Sequence, residues 1–317
     1  MHAVELRARG GPLVVTERPR PTPSGRAVVI DVTACGVCRS DLHVVDGDYP
    51  APLPIVLGHE ITGIENDLGP VMVYAPRGCG RCTMCASGQE MLCPDGRETG
   101  LVVDGGYAEA VLVAGPEYLV ALGALDPVRA APLACGGLTA YRAVVRGLAE
   151  VRRPGARALV IGAGGLGQFA IQFLRLRSDA EVVAVDADAA KRARARELGA
   201  HEAVAPDDLD TEAAFVVDFV GANPTVALAA RAVARQGLVV VVGLAGGRAP
   251  FGFGAVPHEA RFTTSVWGTR AQLGELLALA TKEPLHYTVE PVPLVDAQQA
   301  HDRLRAGEVA GRLVLVP

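Results

Sequence analysis

The amino-acid sequence predicts an α/β protein of two domains, one a β barrel or sandwich and the other a parallel sheet flanked by helices. Residues 1–135 contain short strand-like runs broken by Gly and Pro, such as residues 27–32 (AVVIDV), which is typical of an all-β unit. From about residue 156, apolar runs such as residues 158–161 (ALVI) and 182–185 (VVAV) alternate with helical stretches. Buried strands separated by helices indicate a parallel sheet.

The rest of the second half continues this alternation. Strand-like runs occupy residues 215–219 (FVVDF) and 238–242 (LVVVV), a helix is expected near residues 270–281, and a last strand near residues 313–316 (LVLV). The basic stretch at residues 192–196 (RARAR) has ordinary helical spacing and predicts a solvated helix face.

The composition is that of an ordinary folded protein. The 317 residues, 50% of them hydrophobic, suffice for two domains. A net charge of −5 argues against a nucleic-acid partner, which favours a clustered basic surface. No apolar run reaches the roughly 18–20 residues of a membrane helix, and the N-terminus lacks a signal-peptide pattern. We therefore expect a cytoplasmic protein with no membrane partner.

Four cysteines lie within fifteen residues, in the spacing C-x2-C-x2-C-x7-C: Cys79, Cys82, Cys85 and Cys93. Four thiolates can close a tetrahedral shell around Zn²⁺ and leave no open position, so this spacing predicts a structural zinc site. Closely spaced cysteines also bind iron–sulfur clusters. Free or disulfide-bonded cysteines are the third interpretation, although a disulfide framework suits a shorter, secreted chain.

Three further potential metal ligands are dispersed through the first half of the chain. Cys38 lies in CGVCRSDLH (residues 35–43), His59 in GHE, and Cys135 in ACGG. Taken singly, each has a simpler interpretation. Cys38 could form a redox pair with Cys35, His59 could be a hydrogen-bonded core histidine, and Cys135 could be a small buried apolar residue.

A glycine-rich segment, GAGGLG at residues 162–167, matches the dinucleotide-binding pattern G-x-G-x-x-G between a predicted strand and a helix beginning near Leu166. Gly162 makes the tight turn, Gly164 lets the backbone approach a pyrophosphate, and Gly167 lets helix and strand pack closely. The helix N-terminus offers amide groups to the phosphates. Asp186 ends the next strand, where a carboxylate accepts hydrogen bonds from the ribose and repels a 2′-phosphate, so NAD is predicted.

Together these segments resemble the zinc-containing medium-chain alcohol dehydrogenase family of the medium-chain dehydrogenase/reductase superfamily. The matching pieces are CGVCRSDLH, GHEITG at residues 58–63, the four-cysteine segment, LACGGLTAY at residues 133–141 and the glycine pattern. The resemblance covers essentially the whole chain. It implies a zinc-dependent enzyme that transfers a hydride between NAD and an uncharged, fairly apolar alcohol or its aldehyde or ketone, with two zinc ions per chain.

The resemblance also implies a domain organisation. A GroES-like β-barrel catalytic domain would comprise residues 1–137 and 267–317, with the structural zinc lobe at about residues 76–95. A Rossmann NAD-binding domain, with a doubly wound parallel sheet, would comprise residues 138–266.

By the same resemblance, Cys38, His59 and Cys135 are the ligands of a catalytic zinc with one position open for substrate. Asp41 would orient the His59 ring, and Glu60 would lie beside the metal.

A proton relay follows from the resemblance as well. Ser40 would take the proton of the substrate hydroxyl, and the relay would then run past the cofactor ribose to His43 near the surface, because histidine titrates near neutral pH. Zinc would lower the pKa of the hydroxyl and stabilise the alkoxide, from which a hydride leaves readily.

The remaining cofactor contacts are also implied by the family. Lys191 would reach the adenosine ribose, Arg39 and Arg312 the pyrophosphate, and residues 243–244 and 266–267 the nicotinamide. The full predicted nucleotide set is Arg39, Gly162, Gly164, Gly165, Leu166, Gly167, Asp186, Lys191, Gly243, Leu244, Val266, Trp267 and Arg312.

The expected partners are a small alcohol or carbonyl compound and further copies of the chain, in a dimer or tetramer. The resemblance gives the substrate apolar or aromatic neighbours, and no cation among them could hold a carboxylate or phosphate. They are Tyr49, Leu101, Leu244, Val266 and Trp267.

The chain departs from the family between His59 and Cys79, where it is roughly ten residues shorter and lacks the usual GDRV segment. Turn-forming residues at 66–69 predict a tight hairpin there.

The sequence is compatible with two alternative functions. One is a polyol dehydrogenase or carbonyl reductase of the same superfamily, and Cys135 argues against the polyol version. The other is a non-catalytic nucleotide-binding protein, against which the complete ligand set argues.

Overall fold

The computed structural model describes residues 1–250 and 252–317, which form two compact units. One unit joins Met1–Leu138 with Gly268–Pro317, and the other is Thr139–Trp267. The strands in these ranges are β1 (His2–Leu6), β2 (Leu13–Glu17), β3 (Val28–Gly36), β4 (Ile55–Val56), β5 (Glu60–Glu65), β6 (Gly69–Val73), β7 (Ala110–Val113), β8 (Leu119–Ala121), β9 (Arg157–Ile161), β10 (Glu181–Val185), β11 (Glu202–Val204), β12 (Ala213–Asp218), β13 (Val233–Val241), β14 (Arg261–Thr264), β15 (Val289–Pro293) and β16 (Arg312–Val316).

The helices of the second half alternate with the strands in the predicted order, and the helix expected near residues 270–281 is found. The α-helices are α1 (Arg39–Asp46), α2 (Thr83–Ala86), α3 (Pro127–Ala130), α4 (Gly136–Gly147), α5 (Gly167–Arg177), α6 (Ala189–Glu197), α7 (Asn223–Ala232), α8 (Arg270–Lys282) and α9 (Ala297–Ala306). Short 3₁₀ turns occupy Glu90–Leu92, Pro116–Tyr118, Ala131–Ala134, Pro206–Asp208 and Leu294–Asp296. In the described ranges, none of these helices has the length and apolar character that a bilayer crossing requires.

The first unit is built on two sheets. A seven-stranded sheet runs in the order β15-β16-β3-β5-β6-β8 with β7 also paired to β3, and a three-stranded sheet runs β2-β1-β4. All pairings are antiparallel except that of β15 with β16. The long strand β3 is central because both edges are paired, and its residues alternate between more and less buried positions before a fully buried end. The predicted β-rich unit is confirmed.

The shortened segment after residue 59 forms the predicted hairpin. Strands β5 and β6 pair with Glu65 opposite Gly69, so only residues 66–68 connect them. The Glu65 carboxylate accepts hydrogen bonds from the backbone N–H groups of Asp67 and Leu68, at 2.8 and 2.9 Å. Gly69 has a φ of 73°, which is the left-handed conformation that glycine adopts without steric cost. The turn is therefore closed by its own residues.

The second unit is a six-stranded sheet in the order β11-β10-β9-β12-β13-β14, with every pairing parallel. Counted from β9, this is the 3-2-1-4-5-6 order of a doubly wound dinucleotide-binding sheet. The two central strands are almost wholly buried, because apolar side chains of helices and sheet cover both faces. The predicted parallel sheet is confirmed, and the order change between β9 and β12 marks the edge where ligands bind in such sheets.

One strand begins earlier than its sequence suggests. We expect a strand at residues 238–242, whereas β13 begins at Val233. The difference arises because Arg235 and Gln236 interrupt the apolar pattern and are more exposed, while Val233 still pairs with Ala213 across a register shift. The predicted solvated basic face is found on α6, where only Ala195 is buried.

Candidate metal centres and nucleotide site

The four-cysteine segment folds into a compact lobe around the short helix α2. The Sγ atoms of Cys79, Cys82, Cys85 and Cys93 all lie within 4.8 Å of one another. The Cys82 Sγ is 3.5 Å from that of Cys85 and 3.7 Å from that of Cys93. A zinc–sulfur bond of about 2.3 Å gives a tetrahedral edge of about 3.8 Å between sulfur atoms. The lobe therefore has the dimensions of a four-thiolate zinc site.

Backbone amides in this lobe favour thiolates. The Cys79 N–H donates to Cys93 Sγ at 3.2 Å, and the Cys85 N–H donates to Cys82 Sγ at 3.5 Å. Backbone N–H groups of Arg81 and Cys82 lower the pKa of the Cys79 thiol to about 6. Desolvation and the hydrogen bonds with the other three thiols raise the pKa of Cys85 to about 12, so the amides favour the thiolate at Cys79 and not at every cysteine of the lobe. Since the thiolate is the form that ligates a metal, the chemistry of the lobe as well as its size fits zinc.

A second cluster brings together side chains that are far apart in the chain. The ligand atoms of Cys38, His59, Glu60 and Cys135 lie within 4.8 Å of one another, and all four residues are buried. Cys38 caps the N-terminus of α1 directly after β3, while His59 directly precedes β5. The pairing of β3 with β5, which sets Gly36 opposite Glu60, brings these two segments together.

Close backbone approach is required around this cluster. Gly58 has a φ of 94°, and a Cβ there would collide with the Tyr107 ring and with Cys35 Sγ. A Cβ on Gly36 would collide with the Glu60 carboxylate. The small residues beside the ligands are therefore needed for the ligands to converge.

The His59 imidazole is held by a buried carboxylate. Its Nδ1 lies 3.0 Å from Asp41 Oδ1, which leaves Nε2 as the ring nitrogen that can ligate a metal. Burial opposes protonation of His59, but Asp41 and Cys38 together raise its pKa well above the usual value. A hydrogen bond from the Cys135 thiol lowers the pKa of Cys38 well below its usual value, despite burial. A histidine with its far nitrogen on a carboxylate, beside a thiol that favours ionisation, fits a zinc ion.

Glu60 forms a buried ion pair with Arg312 of the last strand. Arg312 Nη2 lies 2.6 and 2.5 Å from the two Glu60 carboxylate oxygens, and the Gly136 N–H donates to Glu60 Oε1 at 3.1 Å. Burial raises the pKa of Glu60 to about 7, although Arg312 opposes the shift. The structure thus places the Arg312 guanidinium on Glu60 in the interior. Its predicted pyrophosphate contact stays a prediction.

The predicted relay residues lie on α1. Ser40 Oγ is 3.7 Å from Cys38 Sγ, so its hydroxyl lies beside the cluster. His43 is one turn further and partly exposed, with Nδ1 3.1 Å from Asp48 Oδ2. Arg39, at the first position of the helix, is exposed. Sequence reasoning did not single out Asp48, although its place five residues after His43 was visible.

Two buried residues outside any motif lie behind Asp41, next to the cluster of Cys38, His59, Glu60 and Cys135. The Tyr107 hydroxyl donates to Asp41 Oδ2 at 2.9 Å and lies 3.1 Å from His301 Nε2. Sequence reasoning missed both, because the contact between them joins positions 194 residues apart.

The glycine-rich loop joins β9 to α5 as predicted. Gly162 has a φ of 85°, and a Cβ on Gly167 would collide with the Gly162 carbonyl oxygen. Around Gly164 there is open space. Gly165 and Leu166 complete the turn, with Leu166 as the residue that precedes the helix. The loop has the close helix–strand approach that a dinucleotide site requires.

The Asp186 carboxylate, directly after β10, also contacts the glycine-rich loop. Its Oδ2 accepts a hydrogen bond from the Ala163 N–H in the glycine loop, and its Oδ1 accepts one from the Asp188 N–H, both at 2.9 Å. Lys191 is about half-exposed, and its Nζ is 4.0 Å from Asp188 Oδ2. Arg192, which we interpreted only as part of a solvated face, donates to the carbonyl oxygen of Asp186 at 2.8 Å.

The residues expected near the nicotinamide and substrate differ in exposure. In the second unit, Leu244 and Val266 are exposed and Trp267 is buried, with a φ of 49°. A Cβ on Gly243 would collide with the Val220 backbone. In the first unit Leu101 is buried, while burial and the Glu98 carboxylate raise the pKa of the partly buried Tyr49 to about 12.

Comparison with known proteins gives two family matches. Residues 24–123 match the alcohol dehydrogenase GroES-like domain, and residues 165–282 match the zinc-binding dehydrogenase family. These ranges contain His59, the four-cysteine lobe and most of the parallel sheet.

Whole-length relatives agree with these matches. The chain is 35% identical to an alcohol dehydrogenase of Geobacillus stearothermophilus over 330 residues, covering 96% of each chain. It is 33% identical to an NAD-dependent alcohol dehydrogenase of Sulfurisphaera tokodaii over 350 residues, covering 100% of both. The crystal structure of an alcohol dehydrogenase from Aeropyrum pernix superposes with a TM-score of 0.90 at 30% identity, again with 100% of each chain covered.

Proposed function

This chain belongs to the zinc-containing medium-chain alcohol dehydrogenase family, and from that premise we propose which residues carry the reaction and which alcohols it takes. It is an NAD-dependent zinc enzyme that transfers a hydride between an alcohol and its carbonyl partner. The observation that carries the assignment of residues is the buried convergence of Cys38, His59 and Cys135.

These three residues would hold the catalytic zinc. Two thiols and an imidazole leave one coordination position for the substrate oxygen. Zinc supplies Lewis-acid stabilisation of negative charge on that oxygen. Asp41 fixes the His59 ring by the 3.0 Å contact with Nδ1, which also determines the ring nitrogen that ligates. The cysteine lobe would hold the structural zinc.

Ser40 and His43 would move the proton. The Ser40 hydroxyl, beside Cys38, would accept the proton of the substrate hydroxyl while its own proton passes along the relay to His43. His43 lies three positions further along α1, on the same helix face, and is partly exposed beside Asp48, so it can release the proton to solvent.

The nucleotide would bind at the glycine-rich loop. The turn at Gly162 and the open space at Gly164 suit a pyrophosphate, and Asp186 suits the adenosine ribose. Arg39 and Lys191 are exposed cations that suit the phosphates and the ribose.

For the substrate, we propose an uncharged and fairly apolar alcohol. The support is the character of the side chains that the family places near it, of which Leu101, Leu244 and Trp267 are apolar or aromatic. Burial of substrate surface contributes roughly 25 cal/mol per Å2, so a longer alkyl or an aryl group should bind better than ethanol.

The test is the ratio of kcat/KM values for ethanol, hexanol, benzyl alcohol and sorbitol with NAD, measured by absorbance at 340 nm. We expect hexanol and benzyl alcohol to exceed ethanol at least tenfold, and sorbitol to be the poorest substrate. A preference for sorbitol, or for a charged hydroxy acid, would refute the apolar site.

Two wider properties are proposed as well. A homo-oligomer is supported by β14, which within the described chain pairs only with β13 and so presents an open sheet edge. Light scattering coupled to gel filtration tests it. A reducing compartment such as the cytoplasm suits the chain, since two clusters of metal-ligating thiols would be oxidised elsewhere.

A further inference from the structure

We propose that Tyr107 and His301 are positioning residues of the catalytic metal centre, which together hold the Asp41 carboxylate in place against His59. The inference rests on the proposed role of His59 as a zinc ligand. Neither residue belongs to a motif that the family resemblance uses, and all of the contacts lie within the first compact unit.

The need for positioning comes from the burial of Asp41. Its side chain is 0% exposed, and a carboxylate removed from water is unfavourable by several kcal/mol unless hydrogen bonds replace the lost solvation. Three contacts do so: the Cys38 N–H at 2.9 Å, His59 Nδ1 at 3.0 Å and the Tyr107 hydroxyl at 2.9 Å. Tyr107 provides the one contact that comes from neither proposed ligand segment.

The single proton of the Tyr107 hydroxyl determines the direction of its two hydrogen bonds, one with Asp41 and one with His301. The Tyr107 hydroxyl has one proton, which it donates to Asp41 Oδ2. The 3.1 Å contact with His301 therefore requires that His301 Nε2–H donates to the tyrosine oxygen. Burial and Asp41 raise the pKa of Tyr107, while burial lowers that of His301, so both groups are neutral near pH 7.

Packing fixes the same arrangement. Tyr107 is 0% and His301 3% exposed, and their rings meet edge-on, with centroids 5.7 Å apart and planes at 73°. The hydrogen bond that His301 Nε2–H donates to the Tyr107 oxygen prevents the hydroxyl from turning away, and it makes the Tyr107 O–H a stronger donor to Asp41. Loss of that bond would let Asp41 move and pull more strongly on His59 Nδ1–H, which changes both the orientation and the donor strength of the imidazole.

The helix that carries His301 offers a matched control. Helix α9 also contacts α1 through Arg305, which forms two 2.8 Å bonds with the Asp46 carboxylate. Arg305→Gln loosens the same pair of helices without touching Tyr107 or Asp41. Its effects measure what weaker docking of α9 does by itself.

The experiment compares four variants of the full-length zinc enzyme: Tyr107→Phe, His301→Phe, His301→Gln and Arg305→Gln. His301→Phe keeps a ring of similar size but removes the donor, whereas the Gln side-chain amide can replace the Nε2–H donor. Two readouts are used beside activity. One is the rate of zinc release to a chelating dye, and the other is the visible spectrum after exchange of the catalytic zinc for Co²⁺.

We expect Tyr107→Phe and His301→Phe to release the catalytic zinc about tenfold faster and to shift the Co²⁺ bands. His301→Gln should restore both properties to within twofold of the unmodified enzyme. Arg305→Gln should lower Tm at most, with the spectrum and the zinc release unchanged. If His301→Phe does not fold, Tyr107→Phe, which removes only one oxygen, carries the test.

An unchanged Co²⁺ spectrum and zinc release in both Phe variants would overturn the proposal, as would changes that Arg305→Gln reproduces or that His301→Gln fails to reverse. These outcomes differ from a failure of the proposed function. In that case the unmodified, zinc-loaded protein would not oxidise alcohols with NAD, whatever the variants show.

Discussion

The preference for NAD over NADP can be tested quantitatively at Asp186, whose carboxylate contacts the glycine-rich loop and is proposed to bind the ribose. Asp186 accepts the Ala163 N–H of the glycine-rich loop, and by the proposal it also accepts hydrogen bonds from the adenosine ribose of NAD. Asp186→Gly removes both. The loop contact should matter equally to NAD and NADP, so its loss cancels in the ratio of their kcat/KM values.

The expected change in that ratio follows from two contributions. NAD loses a charge-assisted hydrogen bond, at about 1.5 kcal/mol for a partly exposed site. NADP is relieved of repulsion between the carboxylate and its 2′-phosphate, at about 1 kcal/mol for charges roughly 4 Å apart in water. The sum of about 2.5 kcal/mol corresponds to a shift of roughly 70-fold toward NADP.

Initial rates with each cofactor at 340 nm give the two kcat/KM values directly. Asp186→Asn is the matched variant, because its side-chain oxygen can still accept the Ala163 N–H but the charge is gone. It should retain more activity with both cofactors than Asp186→Gly. The reasoning about Asp186 is wrong if the unmodified enzyme already prefers NADP tenfold, or if Asp186→Gly changes the ratio less than threefold.

Three other predictions concern separate parts of the chain. Cys38→Ser should lose one of two zinc ions and all turnover at nearly unchanged Tm. Cys82→Ser should lose the other zinc and lower Tm, because metal binding in the lobe contributes folding free energy. Metal analysis and calorimetry test this, and equal Tm values for the two variants would contradict it. Gly167→Ala should raise KM for NAD at least tenfold, since its Cβ would collide with a carbonyl oxygen of the loop, and an unchanged KM would exclude that constraint. The hydrogen bond from Arg305 lowers the pKa of Asp46 below its unfolded value, so the pair stabilises the fold above about pH 4 and the contribution is lost as pH falls. Urea unfolding of Arg305→Gln should show a loss of less than about 1 kcal/mol at pH 7 and a smaller loss at pH 2, and an equal loss at both values would contradict it.

Much of the fold could be predicted from the sequence, because the strands of the second unit are short, continuous apolar runs that alternate with helical stretches. The start of β13 could not be predicted, since its first residues owe their strand conformation to the pairing of Val233 with Ala213 and not to their own apolar pattern. The hairpin at residues 66–68 was predictable because Glu65 and Gly69 satisfy the turn locally.

The candidate site likewise contains residues that the sequence predicts and residues that only the tertiary structure reveals. Cys38 and Cys135 lie in recognisable segments, so the sequence predicts that they are metal ligands. That their side chains lie close together is shown only by the structure. Arg312 has a chemistry that fits either a phosphate or a carboxylate, and only the fold shows it on Glu60. His301 has no local pattern at all. Its contact with Tyr107 depends on how α9 packs, which is a property of the tertiary structure.

The two metal clusters differ most in the length of chain that each one closes. The lobe gathers its four thiols from fifteen consecutive residues, whereas the proposed catalytic ligands span almost a hundred, from Cys38 to Cys135. Closing a short loop is entropically favoured over closing a long one, and a short metal-binding segment folds as it binds its ion. The lobe can therefore fold around its ion before the rest of the chain is structured, but the second site exists only after β3 and β5 have paired. Occupancy of the catalytic position thus reports completed folding, and occupancy of the lobe does not.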